Sequence, residues 1–214
     1  MSESSFLDRT RAGYDSIAPA YAAHFADVLH ADPWARALLT AFAEEVADTG
    51  PVAEFGSGPG DTTAYLAAHG LPIRGIDLSP AMVDLARRAY PDIRFDEGSM
   101  TEPDLADGSL AAVVSWYSLI HIPPAERPGV LGEFHRVLRP GGRLLLGFQA
   151  GNEVVRHNEG FGRQIALDFH RLAPDEIAAA LETAGFTIDI RFERRAMRPG
   201  ESTPQAALMA TRSS

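Results

Sequence analysis

The chain has 214 residues, 45% of them hydrophobic and 22% charged, which indicates one globular domain. It contains no cysteine, so disulfides, thiolate catalysis and cysteine-ligated metals are excluded. The formal net charge of −10 disfavours a nucleic-acid partner, and the longest apolar stretch is shorter than the roughly 20 residues of a membrane helix. The N-terminus lacks a basic start followed by an apolar run, so the expected compartment is the cytoplasm.

The first 50 residues are predicted to be helical. Ile17, Tyr21 and Phe25 are four residues apart and form one face of a helix, which Pro19 weakens or kinks. A second helix follows Pro33, because proline suits the first turn of a helix.

From residue 51 onward, predicted strands alternate with predicted helices. The strands are expected at 51–55, 71–78, 93–97, 110–116, 143–148, 186–192 and 205–211. The helices between them are expected at 61–69, 79–89, 130–138 and 174–183. This alternation implies a parallel sheet, in which ligands bind at the carboxyl ends of the strands.

A glycine-rich loop follows the first of these strands. Gly56, Gly58 and Gly60 occupy alternate positions between strand and helix, where they let the backbone approach a ligand closely. A nicotinamide or flavin fingerprint that begins at Gly56 needs a small residue at position 61, but Asp61 stands there. At the end of the next strand, Asp77 is placed to accept hydrogen bonds from ribose hydroxyls.

Together these motifs resemble the class I S-adenosylmethionine-dependent methyltransferase family. The matching motifs are E-x-G-x-G-x-G at 54–60, G-x-D-x-S at 75–79, D-G-S-L at 107–110, L-R-P-G-G-R-L at 138–144 and A-G-F at 184–186. The resemblance extends over about residues 14–212. It implies a three-layer, Rossmann-like α/β fold with a helical N-terminal lead-in and a seven-stranded, mostly parallel sheet whose last strand is antiparallel.

The resemblance also implies a methyltransferase that uses S-adenosyl-L-methionine and releases S-adenosyl-L-homocysteine. The residues expected at the cofactor are Tyr14, Tyr21, Glu54, Gly56, Ser57, Gly58, Gly60, Asp77, Leu78, Ser99, Met100 and Ser115. Glu54 is expected to hold the amino group of the cofactor and Asp77 its ribose diol. Leu78 and Met100 either border the adenine or simply pack in the core.

Tyr14 and Tyr21 match an N-terminal Y-D-x-I-A-x-x-Y pattern of the family. In relatives with this pattern the lead-in helix covers the cofactor. The alternative is a helix that packs on the sheet edge without touching a ligand.

The chemistry of methyl transfer depends mainly on bringing the nucleophile into line, and a base is needed only when the nucleophile arrives protonated. His121 is the candidate base, because a neutral imidazole has a suitable pKa; otherwise it stabilises its loop. Trp116 and Tyr117 either line the substrate pocket or pack in the core.

The connection after the fifth strand is long and polar, as lids and specificity loops often are. We expect it to select the substrate through His157 and Arg163. His157 and His170 are 13 positions apart with no clear third ligand, so no metal site is predicted.

We therefore divide one domain, 1–214, into a helical cap (1–50), a cofactor-binding core (51–150), a substrate or lid loop (151–173) and a C-terminal helix with strands (174–214). The predicted partner is a small molecule methylated on oxygen, nitrogen or carbon, with no nucleic acid and no membrane. A protein or other macromolecular substrate and a non-catalytic module that binds S-adenosylmethionine are the alternatives, and both a monomer and a homodimer stay open.

Overall fold

A computed structural model of the chain describes residues 5–198 and 200–213. The helices are α1 Phe6–Phe25, α2 Val28–Ala31, α3 Pro33–Val46, α4 Asp61–Ala68, α5 Pro80–Ala89, α6 Arg127–Val137 and α7 Pro174–Thr183. The strands are β1 Val52–Phe55, β2 Ile73–Asp77, β3 Phe95–Glu97, β4 Leu110–Trp116, β5 Leu138–Gln149, β6 Val154–Gly160, β7 Arg163–His170, β8 Phe186–Arg194 and β9 Gln205–Arg212. In this part of the chain no helix combines the length and the apolar character needed to cross a membrane.

Seven strands form one sheet in the order β3-β2-β1-β4-β5-β9-β8. The first five are parallel, whereas β9 runs antiparallel to both β5 and β8. The predicted mostly parallel sheet with an antiparallel last strand is therefore confirmed. Successive crossovers leave in opposite directions from β1 and β4, so the carboxyl ends of these two strands border the crevice where such sheets bind ligands.

Apolar clusters cover both faces of the sheet. On one face Phe55 of β1 stacks on Phe134 of α6, with ring centroids 5.3 Å apart, and both side chains are fully buried. On the other face Phe42 of α3 packs in a separate cluster that includes Leu145 of β5. Because β4 is buried on both faces, its sequence is a nearly continuous run of apolar residues.

Helix α1 begins at Phe6 and continues through Pro19, so the predicted helix of the lead-in is confirmed. Ser5 and Asp8 form a reciprocal capping box that fixes this start. Pro19 is exposed, and it lacks the backbone N–H that would otherwise bond the carbonyl of Asp15.

Strand β5 begins five residues earlier than predicted, since Leu138 already pairs with Leu110. A register shift between Leu110 and Ala112 accommodates the intervening Pro-Gly-Gly segment.

The segment predicted as a loop at 151–173 contains an antiparallel hairpin of β6 and β7. Phe161 and Gly162 form its two-residue turn, both with positive φ (50° and 71°), as the right-handed twist of a hairpin favours. Most of β6 is exposed, so it lacks the apolar alternation by which a strand is recognised in a sequence.

Candidate active site

The glycine loop combines close packing with one open position. A Cβ at Gly56 would collide with Ser118, and one at Gly60 would lie 2.8 Å from the ring of Phe95. Gly58 instead has no neighbouring atom within 4 Å of such a Cβ and adopts φ +54°. Of the three glycines, Gly58 is therefore the one whose backbone faces free space.

Asp77 ties this loop to the end of β2. Its Oδ2 accepts the backbone N–H of Gly58 at 2.7 Å, and its Oδ1 accepts that of Ser79 at 2.8 Å. Burial raises the pKa of Asp77 to about 6, although these two hydrogen bonds act in the opposite direction. Each carboxylate oxygen keeps a lone pair for a further donor.

Glu54 is a second buried acid at this edge of the sheet, with 1% of its surface exposed. The hydroxyl of Thr63, in the first turn of α4, donates to its Oε2. Burial raises the pKa of Glu54 to about 8, and the charges of Asp77 and Asp61 raise it further. A buried carboxyl group with this pKa ionises readily only when a cation approaches it.

Helix α1 is bound directly to this edge of the sheet. Oδ1 of Asp15 accepts the hydroxyl of Ser79 at 2.5 Å and the backbone N–H of Ala81 at 3.3 Å, at the start of α5. Nε of Arg11 donates to the carbonyl of Leu78 at 3.2 Å. The helix thus lies across the ends of β2 and the loop that follows it.

Tyr14 and Tyr21 of α1 are on the inner side of this helix. Their rings meet edge to face with centroids 5.6 Å apart. Burial is the main cause that raises the pKa of each phenol, that of Tyr21 to about 12, and the charge of Asp77 contributes to both. The two phenols therefore stay protonated within electrostatic range of Asp77.

His121 receives hydrogen-bond partners on both ring nitrogens. The hydroxyl of Tyr14 lies 2.7 Å from Nε2, and the backbone carbonyl of Asp168 lies 3.1 Å from Nδ1. Since a carbonyl can only accept, Nδ1 carries the proton and Nε2 accepts from Tyr14. The hairpin strand β7 thereby fixes the tautomer of His121.

Burial also lowers the pKa of His121 to about 4. This corrects the expectation of a pKa well suited to proton abstraction near neutrality. The ring is neutral, but it is a weaker base than an exposed histidine.

Several predicted cofactor residues have hydroxyl groups that are engaged within the protein or turned inward. Ser115 is fully buried and bonds Ser118 at 2.7 Å, whose hydroxyl donates to the carbonyl of Phe55. Ser99 bonds Thr101, at 2.7 Å between hydroxyls. Ser57 is buried, and its Oγ has no partner among the residues described. Contact of Ser115 with a ligand would therefore involve its backbone.

Leu78 and Met100 are both partly buried, and Met100 packs against the core cluster that contains Phe55. This packing agrees with the core alternative for Met100, whereas the adenine contact remains a prediction for both residues.

The four candidate substrate residues are not brought together. Trp116 and Tyr117 line a small cavity beside α3 with Trp34, Phe192 and Arg194. No hydrogen bond or ring contact in the described part of the chain joins either of them to His121. Burial keeps the pKa of Tyr117 above its usual value, so this phenol is also protonated.

His157 and Arg163 belong to the hairpin, and both are exposed. The ring of His157 meets the edge of Phe169, with centroids 5.1 Å apart, and Phe169 in turn contacts His121 at 4.7 Å. Arg163 pairs with Gly160 beside the hairpin turn, away from that contact. Among residues 5–198 and 200–213 no group of three His, Asp or Glu side chains could hold a metal ion.

Three polar residues of this region were not identified from the sequence. Asp15 stands within the Y-D-x-I-A-x-x-Y pattern, so its motif could have indicated a role. Thr63 gave no signal, since a threonine in a first helical turn is common. His170 was placed in the predicted substrate loop (151–173) but was given no role of its own there.

Comparisons with known proteins agree with this geometry. Residues 52–142 match the sequence family described as a methyltransferase domain. The chain is 36% identical to a demethylmenaquinone methyltransferase of Beutenbergia cavernae over 113 residues, which are 53% of this chain and 45% of that protein. The chain spans about half the length of the curated relatives it matches.

Solved structures establish the same fold over the whole chain. A magnesium protoporphyrin IX methyltransferase from Synechocystis with bound S-adenosylmethionine superimposes with a TM-score of 0.77 at 17% identity, covering 100% of both chains. A 1,6-didemethyltoxoflavin N1-methyltransferase from Burkholderia thailandensis gives 0.69 at 21% identity, covering 100% of this chain and 93% of that one. Residues 52–142 thus form a methyltransferase domain by sequence, and the chain has the fold of class I, Rossmann-like S-adenosylmethionine-dependent methyltransferases.

Proposed function

We propose that this protein transfers a methyl group from S-adenosylmethionine to a small molecule. The observation that carries the proposal is the position of Tyr14, which bonds His121 on one side and lies within electrostatic range of Asp77 on the other. Tyr14 thus connects Asp77, which we expect to bind the cofactor ribose, with His121, which we propose to act on the acceptor.

The residues at the strand ends fit the cofactor. Asp77 has lone pairs left for a ribose diol, and the free space beside Gly58 admits a ligand close to the backbone. Glu54 supplies a buried carboxyl group that would ionise beside an ammonium group. When bound, S-adenosylmethionine supplies an activated methyl group on a sulfonium.

Tyr14 and His121 are the groups we propose for the acceptor. The chain has no cysteine and no lysine, since all 19 of its basic residues are arginines, so neither a thiolate nor an amine is available as a base. Tyr14 can accept a proton from the nucleophile while it passes its own to Nε2 of His121.

The low pKa of His121 restricts which acceptors this pair can serve. Each pKa unit between acceptor and base costs about 1.4 kcal/mol, so an aliphatic alcohol would lose its proton only at great expense. A phenol or an enol is a better match. The similarity to a demethylmenaquinone methyltransferase supports a small-molecule acceptor.

Calorimetry tests the cofactor half of the proposal. We expect S-adenosylmethionine and S-adenosylhomocysteine to bind the wild type and NAD not to bind. Asp77→Asn should weaken binding at least about tenfold, because it removes a charged acceptor. The matched control is Asp96→Asn, an acid in β3 that pairs with Arg94 at 2.7 Å.

Transfer of a labelled methyl group to a panel of small acceptors tests the catalytic half. Binding without transfer to any acceptor would instead favour a non-catalytic module. Absence of binding to wild-type protein, or equal loss in Asp77→Asn and Asp96→Asn, would overturn the proposal.

A further inference from the structure

His170, the last residue of β7, is a buried polar side chain that lacks a partner. Only 8% of its surface is exposed, and within the described ranges 5–198 and 200–213 nothing hydrogen-bonds its Nδ1. Buried polar atoms in proteins are nearly always bonded, because an unpaired one loses the bonds it made to water. His170 lies two positions along β7 from Asp168, whose backbone carbonyl bonds His121, so we take its unpaired nitrogen as one that a ligand near His121 completes.

The surroundings of His170 connect it with the proposed acceptor groups. It lies within electrostatic range of His121, Arg127 and Asp168. Asp168 is already occupied by a bidentate pair with Arg156, at 2.6 and 2.7 Å. No hydrogen bond joins Asp168 to His170 in the described part of the chain.

Arg127 places a positive charge near this ring. Its Nε donates to the carbonyl of Ile122 at 3.0 Å, which fixes the guanidinium beside the turn that carries His121. Together with burial, this charge lowers the pKa of His170, so the ring is neutral and can either donate or accept at Nδ1. The same charge favours an electron-rich oxygen as the partner of the ring.

We propose that His170 is a substrate-binding residue, whose Nδ1 hydrogen-bonds a second oxygen of the methyl acceptor while the reacting oxygen lies at Tyr14 and His121. This inference rests on the proposed function. It assigns the acceptor to the class of aromatic or enolic hydroxy compounds that carry two oxygen substituents. The ring of Phe169, in edge contact with His121 at 4.7 Å, supplies an apolar wall for such a compound.

Catechol and phenol are suitable probes, because they differ by one hydroxyl group. Binding of each is measured by calorimetry to protein saturated with S-adenosylhomocysteine. We expect catechol to bind the wild type about five- to tenfold more tightly than phenol. His170→Phe should abolish this preference, whereas His170→Asn should retain part of it, since the asparagine amide can place a polar atom where Nδ1 stands.

Two readouts separate binding from a structural role. His170→Phe removes an unpaired buried polar group, so its melting temperature should equal or exceed that of the wild type, whereas loss of a structural hydrogen bond would lower it. In protein with 15N-labelled histidines, catechol should shift the Nδ1 signal of His170. That signal is assigned by its absence from the spectrum of His170→Phe or, if this variant does not fold, from that of His170→Asn. His135→Phe, on α6, is the control for histidine replacement, with the preference unchanged.

The outcomes distinguish this inference from the proposed function. Failure of wild-type protein to bind S-adenosylhomocysteine would overturn both. If the cofactor product binds but catechol shows no preference over phenol, or if the preference persists in His170→Phe, the role of His170 alone is refuted.

Discussion

The hydroxyl of Tyr14 lies 2.7 Å from Nε2 of His121, and this contact joins helix α1 to the turn after β4 across 107 positions of the chain. The carbonyl of Asp168 holds the other ring nitrogen at 3.1 Å. Three segments distant in sequence, α1, the turn and the hairpin, therefore meet at one imidazole. A change at Tyr14 should affect the chemistry of the site before it affects cofactor binding.

Replacement of Tyr14 by phenylalanine removes the hydroxyl and leaves the ring. We expect kcat to fall about a hundredfold, the lower end of general acid–base contributions, while affinity for S-adenosylhomocysteine changes less than about twofold. Steady-state kinetics and calorimetry check this. Tyr21→Phe is the matched control, because Tyr21 is on the same helix and within range of Asp77 but bonds no histidine in the described structure. Equal kcat in wild type and Tyr14→Phe would rule out proton transfer through Tyr14 to His121.

The acidic limb of the pH–rate profile reports on His121. Burial lowers its pKa to about 4, and only the neutral ring can accept a proton. The rate should therefore be insensitive to this group above about pH 5 and fall below it, once protonation of His121 begins. A limb with an apparent pKa near 6.5 that disappears in His121→Asn would show that the ring is solvated during turnover.

Glu54 makes the stability of the ligand-free protein depend on pH. Its pKa is raised to about 8 in the folded protein from an ordinary value of 4.5, so between these values the folded state binds more protons than the unfolded state. The free energy of unfolding should accordingly decrease as pH rises, with a slope from this group approaching about 1.4 kcal/mol per pH unit. Urea titrations from pH 5 to about pH 8 measure this slope. Glu54→Gln should flatten it, since the amide does not titrate, and an unchanged slope would show that Glu54 is not responsible.

Replacing Gly58 by alanine tests whether a ligand approaches the backbone of the glycine loop. A second glycine variant controls for backbone strain. Gly58→Ala and Gly141→Ala place a Cβ on backbones with similar φ, +54° and +73°, and neither Cβ would have a protein neighbour within 4 Å. Both variants should lose about 1 kcal/mol of stability from left-handed strain. Only Gly58→Ala should also weaken cofactor binding, because its methyl group enters the free space beside the loop. Equal affinity in the two variants would remove Gly58 from the binding surface.

Asp32 is expected to matter for stability. It accepts the backbone N–H groups of Trp34 and Ala35 at the start of α3, and pairs with Arg194 at 3.1 Å and Arg198 at 2.8 Å. The side chains of Asp32 and Arg194 are only 10% and 8% exposed. Asp32→Ala should therefore cost about 2 kcal/mol, since it removes a helix cap and one of the two carboxylates that pair with the buried Arg194, the other being Glu201.

The matched control for Asp32→Ala is Asp175→Ala. The carboxylate of Asp175 pairs with Arg191, but its side chain is 88% exposed. The control variant should change the free energy of unfolding by less than about 1 kcal/mol in the same denaturant titration. Similar losses in both variants would contradict the importance of burial.

The features predicted successfully from the sequence depend on local chemistry. Ser79 and Pro80 indicated the start of α5, and the hydroxyl of Ser79 does accept from Met82. The glycine loop at 56–60 and Asp77 could be assigned to strand ends because each follows a short apolar run. The cofactor role of every residue assigned to the site stays a prediction.

The features that were missed depend on contacts distant in sequence. The β6–β7 hairpin is polar, so its pairing is invisible to periodicity, and the pKa of His121 depends on burial by α1 and β7. The sequence left open whether Trp116 packs in the core, and its packing against Gly147 of the neighbouring strand is decided by sheet register.

By itself the sequence determined the alternation of strands and helices, the glycine loop and the acid at the end of β2, because turn residues and apolar periodicity act over a few positions. Tertiary structure alone decided that Tyr14, His121 and the carbonyl of Asp168 share one hydrogen-bond chain. It also left Nδ1 of His170 buried and unpaired in the described structure. Burial and hydrogen-bond partners set the pKa and the hydrogen-bonding capacity of each group. A group acquires its burial and its partners only when distant segments of the chain pack together.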